Sequence, residues 1–184
     1  MLNLDLTARL PRAFWAWDEI VEMNKDGCWP CTPNTNLLYG LHEALEMIES
    51  EGLPQVFARH QHWGASGCAA VEACGLPIQC ADPAAFPPVL TGVITPPGVD
   101  ADALRRLIHE RFDSSLGTGL GKLEGRMFRI GHLGDSNDLT LLATLAGVEM
   151  GLKLVGVKLA ASGVQAAMDH FSNHPAPAAL KAAA

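Results

Sequence analysis

The sequence predicts an α/β fold, more specifically a compact α+β unit that follows a helical N-terminal segment. From residue 76 onward, short apolar runs bounded by Gly and Pro alternate with capped helical stretches. The clearest strands are residues 89–95 and 127–130. The first 75 residues show helical periodicity only. We therefore expect three or four strands with helices on one side.

The helical segment carries start and stop signals of its own. Thr32 is predicted to be an N-cap and Pro33 the first helical residue, with Gly52 closing the helix. A second helix is predicted over residues 54–74. The apolar residues of the first helix recur at helical spacing: Leu37, Leu41, Ala44, Leu45 and Ile48.

The α+β unit is predicted in chain order from its turn and cap residues. Residues 76–80 form a short strand candidate, and Asp100 caps a helix that ends at residue 112. Residues 114–121 are expected to be a glycine-rich strand that leads into a turn. The dense cap signal at residues 135–138 starts a helix to residue 154, and a last short helix covers residues 162–171.

Arg129 stands inside the apolar strand that follows Gly125. Because side chains alternate, Phe128 and Ile130 share one face while Met127 and Arg129 share the other. An unpaired guanidinium in such surroundings is costly, so an anionic partner is expected. That partner is either an Asp or Glu of the same fold or the carboxylate of a ligand held by the guanidinium fork.

Composition excludes several classes of function. There are 13 Lys+Arg against 20 Asp+Glu, a net charge of -7, and no basic run, so no nucleic-acid partner is expected. No apolar stretch is long enough to span a bilayer, and no signal peptide is recognisable. The five cysteines are odd in number, which disfavours a disulfide scaffold. We expect a cytoplasmic protein.

Cys28-Trp-Pro-Cys31 is a possible thiol redox motif, because a helix start lowers the pKa of a nearby thiol. The preceding βαβ context is missing and no second ligand pair completes a zinc site, so no metal site is predicted. Thr32 at the adjacent helix start has two possible roles. It either caps its own helix or adds a hydroxyl to a phosphate-binding corner.

Three segments together resemble a known family: residues 32–41 (TPNTNLLYGL), 51–60 (EGLPQVFARH) and 125–134 (GRMFRIGHLG), the last followed by Gly147-Val-Glu-Met150. Their order and separation are similar to the C-terminal part of serine–glyoxylate and alanine–glyoxylate aminotransferases. These are class V, fold-type I enzymes that depend on pyridoxal phosphate (PLP).

The resemblance implies a domain organisation. It implies that residues 1–52 end the large domain and form a connecting helix. Residues 53–174 would then form the C-terminal small α+β domain, and residues 175–184 a tail.

The resemblance also implies roles for three residues. Arg129 would grip the α-carboxylate of a small amino or keto acid, and Thr32 would reach the PLP phosphate of the neighbouring subunit of a homodimer. Trp29 would line the same phosphate corner, where the alanine-specific branch of the family has Tyr. Family members often carry Tyr at the positions of Cys28 and Cys31 as well, which weakens the redox interpretation.

The resemblance places the catalytic machinery upstream of this sequence, so no catalytic residue is expected in it. Lys25 lies in a polar turn and is interpreted as a surface residue, and the large domain would bury Trp15 and Trp17. The sequence thus predicts the C-terminal portion of a transaminase that uses serine or alanine with glyoxylate. The alternatives are an inactive truncated chain or non-enzymatic subunit, and a thiol redox module.

Overall fold

The computed structural model describes residues 16–175, and the chain divides into two compact units between Ser50 and Glu51. Trp15 and residues 176–184 of the predicted tail lie outside the described residues. The first unit contributes helix α1 (Trp17–Asn24) and helix α2 (Thr35–Glu51), which ends on the first residue of the second unit.

The start predicted for α2 is wrong by two residues. The helix begins at Thr35, and the side chain of Asn34 accepts a hydrogen bond from the backbone N–H of Leu37 at 3.2 Å. Thr32 therefore lies upstream of the cap. Asn34 is as good an N-cap as Thr, and it stands directly before the helix.

The apolar stripe of α2, formed by the residues at helical spacing, is exposed in the structure described. No residue of the helix is buried, and Leu37 and Leu41 are 69% and 54% exposed. Trp17 on α1 is likewise 59% exposed. The helical periodicity is present, but the described residues of this unit do not cover the stripe.

The second unit is an α+β domain. Its elements in chain order are α3 (Leu53–Ala73), β1 (Leu90–Ile94), α4 (Ala101–Phe112), β2 (Gly117–Thr118), β3 (Met127–Gly131), α5 (Asp138–Leu154) and α6 (Gly163–Asn173). The strands form one antiparallel sheet in the order β1-β3-β2. The predicted fold class is confirmed.

Two predicted strands are shorter than expected. Of residues 76–80, only Ile78 forms an isolated bridge, with Val93. Pro77 lacks an N–H, so it contributes only its carbonyl, which accepts from Ile94. Within residues 114–121 only Gly117 and Thr118 pair with β3.

The core lies between one face of the sheet and the helices. Val93, Phe128 and Ile130 are fully buried in one cluster with residues from α3, α4, α5 and α6. The predicted alternation along β3 is therefore correct: Phe128 and Ile130 face the core, and Arg129 does not.

Helix α3 approaches the chain ahead of β1 closely, at a glycine. A Cβ on Gly64 would lie 3.0 Å from the Cα and 3.1 Å from the carbonyl oxygen of Pro88. Gly64 is buried inside a 21-residue helix, where glycine is otherwise unfavourable. The close backbone approach explains why glycine is needed there.

Candidate functional site

Arg129 lies at the centre of the sheet. It is directly opposite Gly92 of β1 on one side and Gly117 of β2 on the other. The side chain is half-buried on the face away from the core. Since β3 is hydrogen-bonded on both sides, the backbone that carries Arg129 is fixed by two strand pairings.

The guanidinium of Arg129 has a backbone partner. Its Nε donates to the carbonyl oxygen of Thr118 at 2.8 Å. Among residues 16–175, none of the ion pairs involves Arg129. The sequence predicted an anionic partner for Arg129, but the described fold supplies a neutral carbonyl acceptor. The two Nη groups make no hydrogen bond to a described residue.

Arg129 lines a small cavity of about 80 Å³ beside β1 and β3. Burial raises the pKa of Cys68 in the cavity wall, so this thiol stays protonated and uncharged. Of the lining residues, Arg129 is the only one with a permanently charged side chain, which makes the cavity suited to a small anion. The other lining residues are Cys68, Ile78, Gln79, Cys80, Phe86, Pro87, Leu90, Thr91, Gly92 and Met127.

The loop after β3 is held by two consecutive residues of α3. Arg59 donates from Nη1 to the carbonyl oxygen of Gly134 at 2.6 Å, and the N–H of Gly134 donates to Nε2 of His60 at 3.2 Å. Arg59 also grips Glu51 with two hydrogen bonds, from Nε at 2.6 Å and from Nη2 at 2.7 Å. The bond to Arg59 lowers the pKa of Glu51, which therefore stays ionised.

Sequence reasoning did not predict this arrangement. Arg59 and Glu51 are eight residues apart, and the bend at Gly52 separates them, so no helical spacing rule pairs them. Their only signal was that both lie in the segment 51–60 on which the family resemblance rests.

His132 is the first residue after β3. It is buried, with Nε2 2.9 Å from the hydroxyl of Thr91 and Nδ1 3.1 Å from the carbonyl oxygen of Pro88. Burial lowers its pKa, so the ring is neutral, with a proton on Nδ1 to donate to the carbonyl. These contacts tie the end of β3 to the chain ahead of β1.

Trp29 and Thr32 line one pocket of about 440 Å³ in the first unit. Thr32 is exposed, and its hydroxyl makes no hydrogen bond within residues 16–175. The indole N–H of Trp29 and the hydroxyl of Thr32 are both donors that a phosphate could use. Glu19 is the only charged residue in the lining, so the described pocket supplies donors but no cation.

The cysteine pair in the first unit does not have the surroundings of a dithiol site. Cys28 and Cys31 are both free and exposed, and the residues before them form α1 and a turn rather than a strand. No group of three metal-ligating side chains comes together among residues 16–175. Lys25 is exposed and pairs with Glu22, in agreement with its interpretation as a surface lysine.

Comparison with known proteins identifies the class. No protein-family model matches the chain. A ureidoglycine–glyoxylate aminotransferase from Bacillus subtilis superimposes on 78% of the chain with a TM-score of 0.73 and 33% identity. An alanine–glyoxylate aminotransferase from Nostoc covers 80% with a TM-score of 0.70 and 28% identity. The matches cover 38% and 40% of those chains. The fold is the C-terminal portion of a fold-type I aminotransferase.

Sequence comparison narrows the family. The serine–glyoxylate aminotransferase of Arabidopsis thaliana is 42% identical over 94% of this chain, and that of Hyphomicrobium methylovorum is 36% identical over 94%. The chain is homologous to the C-terminal part of the serine–glyoxylate and alanine–glyoxylate aminotransferases. It spans less than half the length of these two relatives, 44% and 43% respectively.

The roles assigned to Trp29, Thr32 and Arg129 stay predictions. Of the three residues singled out, Trp29 and Thr32 meet in one pocket of the first unit, and Arg129 lines a cavity of the second unit. No helix among the described residues has both the length and the apolar character needed to cross a membrane.

Proposed function

We propose that this chain forms the substrate-orienting part of a PLP-dependent aminotransferase that transfers an amino group from serine or alanine to glyoxylate. The observation that carries the proposal is Arg129, whose two Nη groups make no hydrogen bond to a described residue, in a small cavity that has no other permanently charged lining residue. Family membership supports amino transfer as the reaction.

In this proposal Arg129 holds the α-carboxylate of the amino acid and then that of the keto acid. A charge-assisted, two-point contact fixes both the position and the rotation of the carboxylate. The small cavity favours acids with short side chains. The neutral thiol of Cys68 adds no charge that would oppose the anion.

Thr32 and Trp29 are proposed to contact the phosphate of PLP. Bound PLP supplies the electron sink needed for bond-breaking at the α-carbon of the amino acid. The donor set fits one side of a phosphate, since it offers a hydroxyl and an indole N–H. It does not neutralise a dianion, because the described pocket contains no cation. The remaining charge has to come from another part of the enzyme.

The partner that completes the site is proposed to be a second copy of the enzyme, with Thr32 contacting the cofactor across the subunit boundary. The domain roles follow from the same resemblance: residues 1–52 as the end of the large domain and 53–174 as the small domain. A homodimer would also give the exposed stripe of α2 a surface to cover it. We place this enzyme in the cytoplasm.

The first alternative is that the 184-residue chain has no activity of its own. The purified chain is mixed with PLP, reduced with borohydride and digested, and the peptides are searched for a lysine adduct. We expect no single modified lysine, because Lys25 is an exposed, ion-paired side chain. An adduct at one defined lysine would contradict this expectation and make the chain a catalytic unit. The redox alternative receives no structural support from Cys28 and Cys31.

Arg129→Gln tests the proposal itself, in the enzyme assembled from this chain and the large-domain half, whether the two are on one polypeptide or co-expressed. We expect kcat/KM for the amino acid to fall. The drop should correspond to a loss of about 2–4 kcal/mol in transition-state stabilisation, since a charge-assisted two-point contact is lost. The matched control is Arg126→Gln, an exposed arginine three residues earlier. Equal kinetics for the two variants would overturn the assignment of Arg129.

A further inference from the structure

Arg129 is the middle residue of a row of three that crosses the sheet, and both of its neighbours in the row are glycines. Gly92 and Gly117 are its Cα partners on β1 and β2. A glycine inside a strand weakens the strand, because it adds chain entropy and no packing. Two of them beside one half-buried arginine need a physical explanation.

Backbone conformation does not explain them. Eight glycines have positive φ, and neither Gly92 nor Gly117 is among them. Any L-residue could adopt the backbone geometry at either position. The reason for glycine must therefore lie in the space that a side chain would fill.

At Gly92 a Cβ would meet Gln79 at 3.3 Å and Met127 at 3.4 Å, whereas at Gly117 the space is occupied by Arg129. A Cβ on Gly117 would lie 3.1 Å from Cβ, 3.1 Å from Nε and 3.5 Å from Cζ of Arg129. The first two distances are shorter than ordinary van der Waals contact between such atoms. The guanidinium thus lies across the bare backbone of Gly117, and its Nε reaches the carbonyl oxygen of the next residue, Thr118.

The bond to Thr118 leaves one way for a carboxylate to bind in two-point fashion. A guanidinium offers a carboxylate either the Nε edge or the end formed by Nη1 and Nη2. The Nε hydrogen is already donated to Thr118 at 2.8 Å. Only the two Nη groups remain for an incoming carboxylate.

We propose that Gly117 is a positioning residue for substrate recognition: its missing side chain lets Arg129 lie across β2 with Nε fixed on the Thr118 carbonyl, so that the carboxylate binds end-on through Nη1 and Nη2. This inference rests on the proposed role of Arg129 and adds a residue that touches no substrate. It also divides the guanidinium between two tasks: Nε bonds to Thr118, and the two Nη groups bind the carboxylate together.

The first test needs no ligand. In the full chain, the Nε–H signal of Arg129 is followed by ¹⁵N NMR, and its exchange with water is measured. We expect slow exchange in the wild type and exchange faster by at least about tenfold in Gly117→Ala, because the added methyl moves Nε off the carbonyl. The control is Gly131→Ala on β3, the strand of Arg129, where a Cβ meets no atom within 4 Å. Equal exchange in all three proteins would overturn the proposal.

The second test uses glyoxylate as the probe, titrated against the same signals. We expect glyoxylate to shift the Nη signals of the wild type and leave Nε–H protected. The apparent affinity should fall by about tenfold in Gly117→Ala, which loses the pre-set geometry, and stay unchanged in Gly131→Ala. A shifted, unprotected Nε–H in the glyoxylate complex would overturn end-on binding.

The two tests separate failure of this inference from failure of the proposed function. If glyoxylate shifts no signal of Arg129, its carboxylate role is wrong, while the exchange measurement still reports on Gly117. Circular dichroism checks that Gly117→Ala is folded. If it is not folded, the test is the exchange of Nε–H in the glyoxylate complex of the wild type. A protected Nε–H supports the proposal, and an unprotected Nε–H refutes it.

Discussion

Arg59 donates to the carbonyl oxygen of Gly134, 75 positions later in the chain, at 2.6 Å. The same guanidinium holds Glu51 at the end of α2 and lies 4.9 Å from the ring centroid of Trp63. Trp63 in turn donates from its indole to Asp138, the first residue of α5, at 2.9 Å. Residues 59–63 of α3 therefore contact the connection between β3 and α5 at Gly134 and at Asp138, where α5 begins.

Arg59→Gln is expected to lower the free energy of unfolding by about 2–4 kcal/mol, because it leaves the carboxylate of Glu51 and the carbonyl of Gly134 without their partner. Urea unfolding followed by circular dichroism measures the loss. Arg106→Gln is the matched control, an exposed arginine on α4 that should change stability by less than about 0.5 kcal/mol. Similar midpoints for both variants would show that the loop is not held by Arg59.

Glu149 provides a pH-dependent bond between α5 and α6. Burial raises its pKa, but hydrogen bonds from Lys153, the N–H of Val164 and the hydroxyl of Ser162 more than offset this and hold the pKa below its usual value. A lowered folded-state pKa stabilises the fold at every pH above the unfolded value of about 4.3. That stability is lost as the pH falls through the folded-state pKa.

Glu149→Gln tests this contribution. We expect a loss of about 1–3 kcal/mol at pH 7, and a smaller difference from the wild type as the pH is lowered below about 4. Unfolding curves at a series of pH values measure both effects. A constant difference at all pH values would mean that the charge of Glu149 is not what the bonds require. Glu110→Gln, exposed on α4, is the control.

Gly64→Ala should destabilise the second unit by about 1–3 kcal/mol, since the new methyl meets the backbone of Pro88 and backbone moves less readily than a side-chain end. Gly147→Ala on α5 is the matched change, because its Cβ would have only Ser114 at 4.0 Å. There we expect stability to rise by up to about 1 kcal/mol through helix propensity. Thermal melts of the two variants should move in opposite directions, and a shared direction would contradict the packing argument.

Much of the fold could be predicted from local signals. The alternation along residues 127–130 placed Arg129 opposite the core face, and the Asp100 cap and the cap signal at 135–138 appear where expected, with Asn137 as the N-cap. These features depend on neighbouring residues only. The loop clamp could not be predicted, because Arg59 meets Gly134 through tertiary packing that no sequence spacing encodes.

The errors also have local causes. Thr32 and Asn34 are both good N-caps, and the sequence does not show that the nearer one is used. Residues 76–80 have the composition of a strand, but Pro77 has no N–H to donate to a ladder. For Arg129, the sequence indicated an anionic partner. It could not show that a backbone carbonyl accepts from Nε, or that both Nη groups bond to none of residues 16–175.

The uncovered stripe of α2 has a practical consequence for anyone who works with this chain on its own. Dyes that fluoresce on apolar surface would bind the folded protein at room temperature, because Leu37, Leu41 and Leu45 are already exposed. A dye-based melt would then start with a high signal and resemble that of a partly denatured sample. Backbone signals such as circular dichroism do not share this bias, and they are the suitable readout for ranking the variants above.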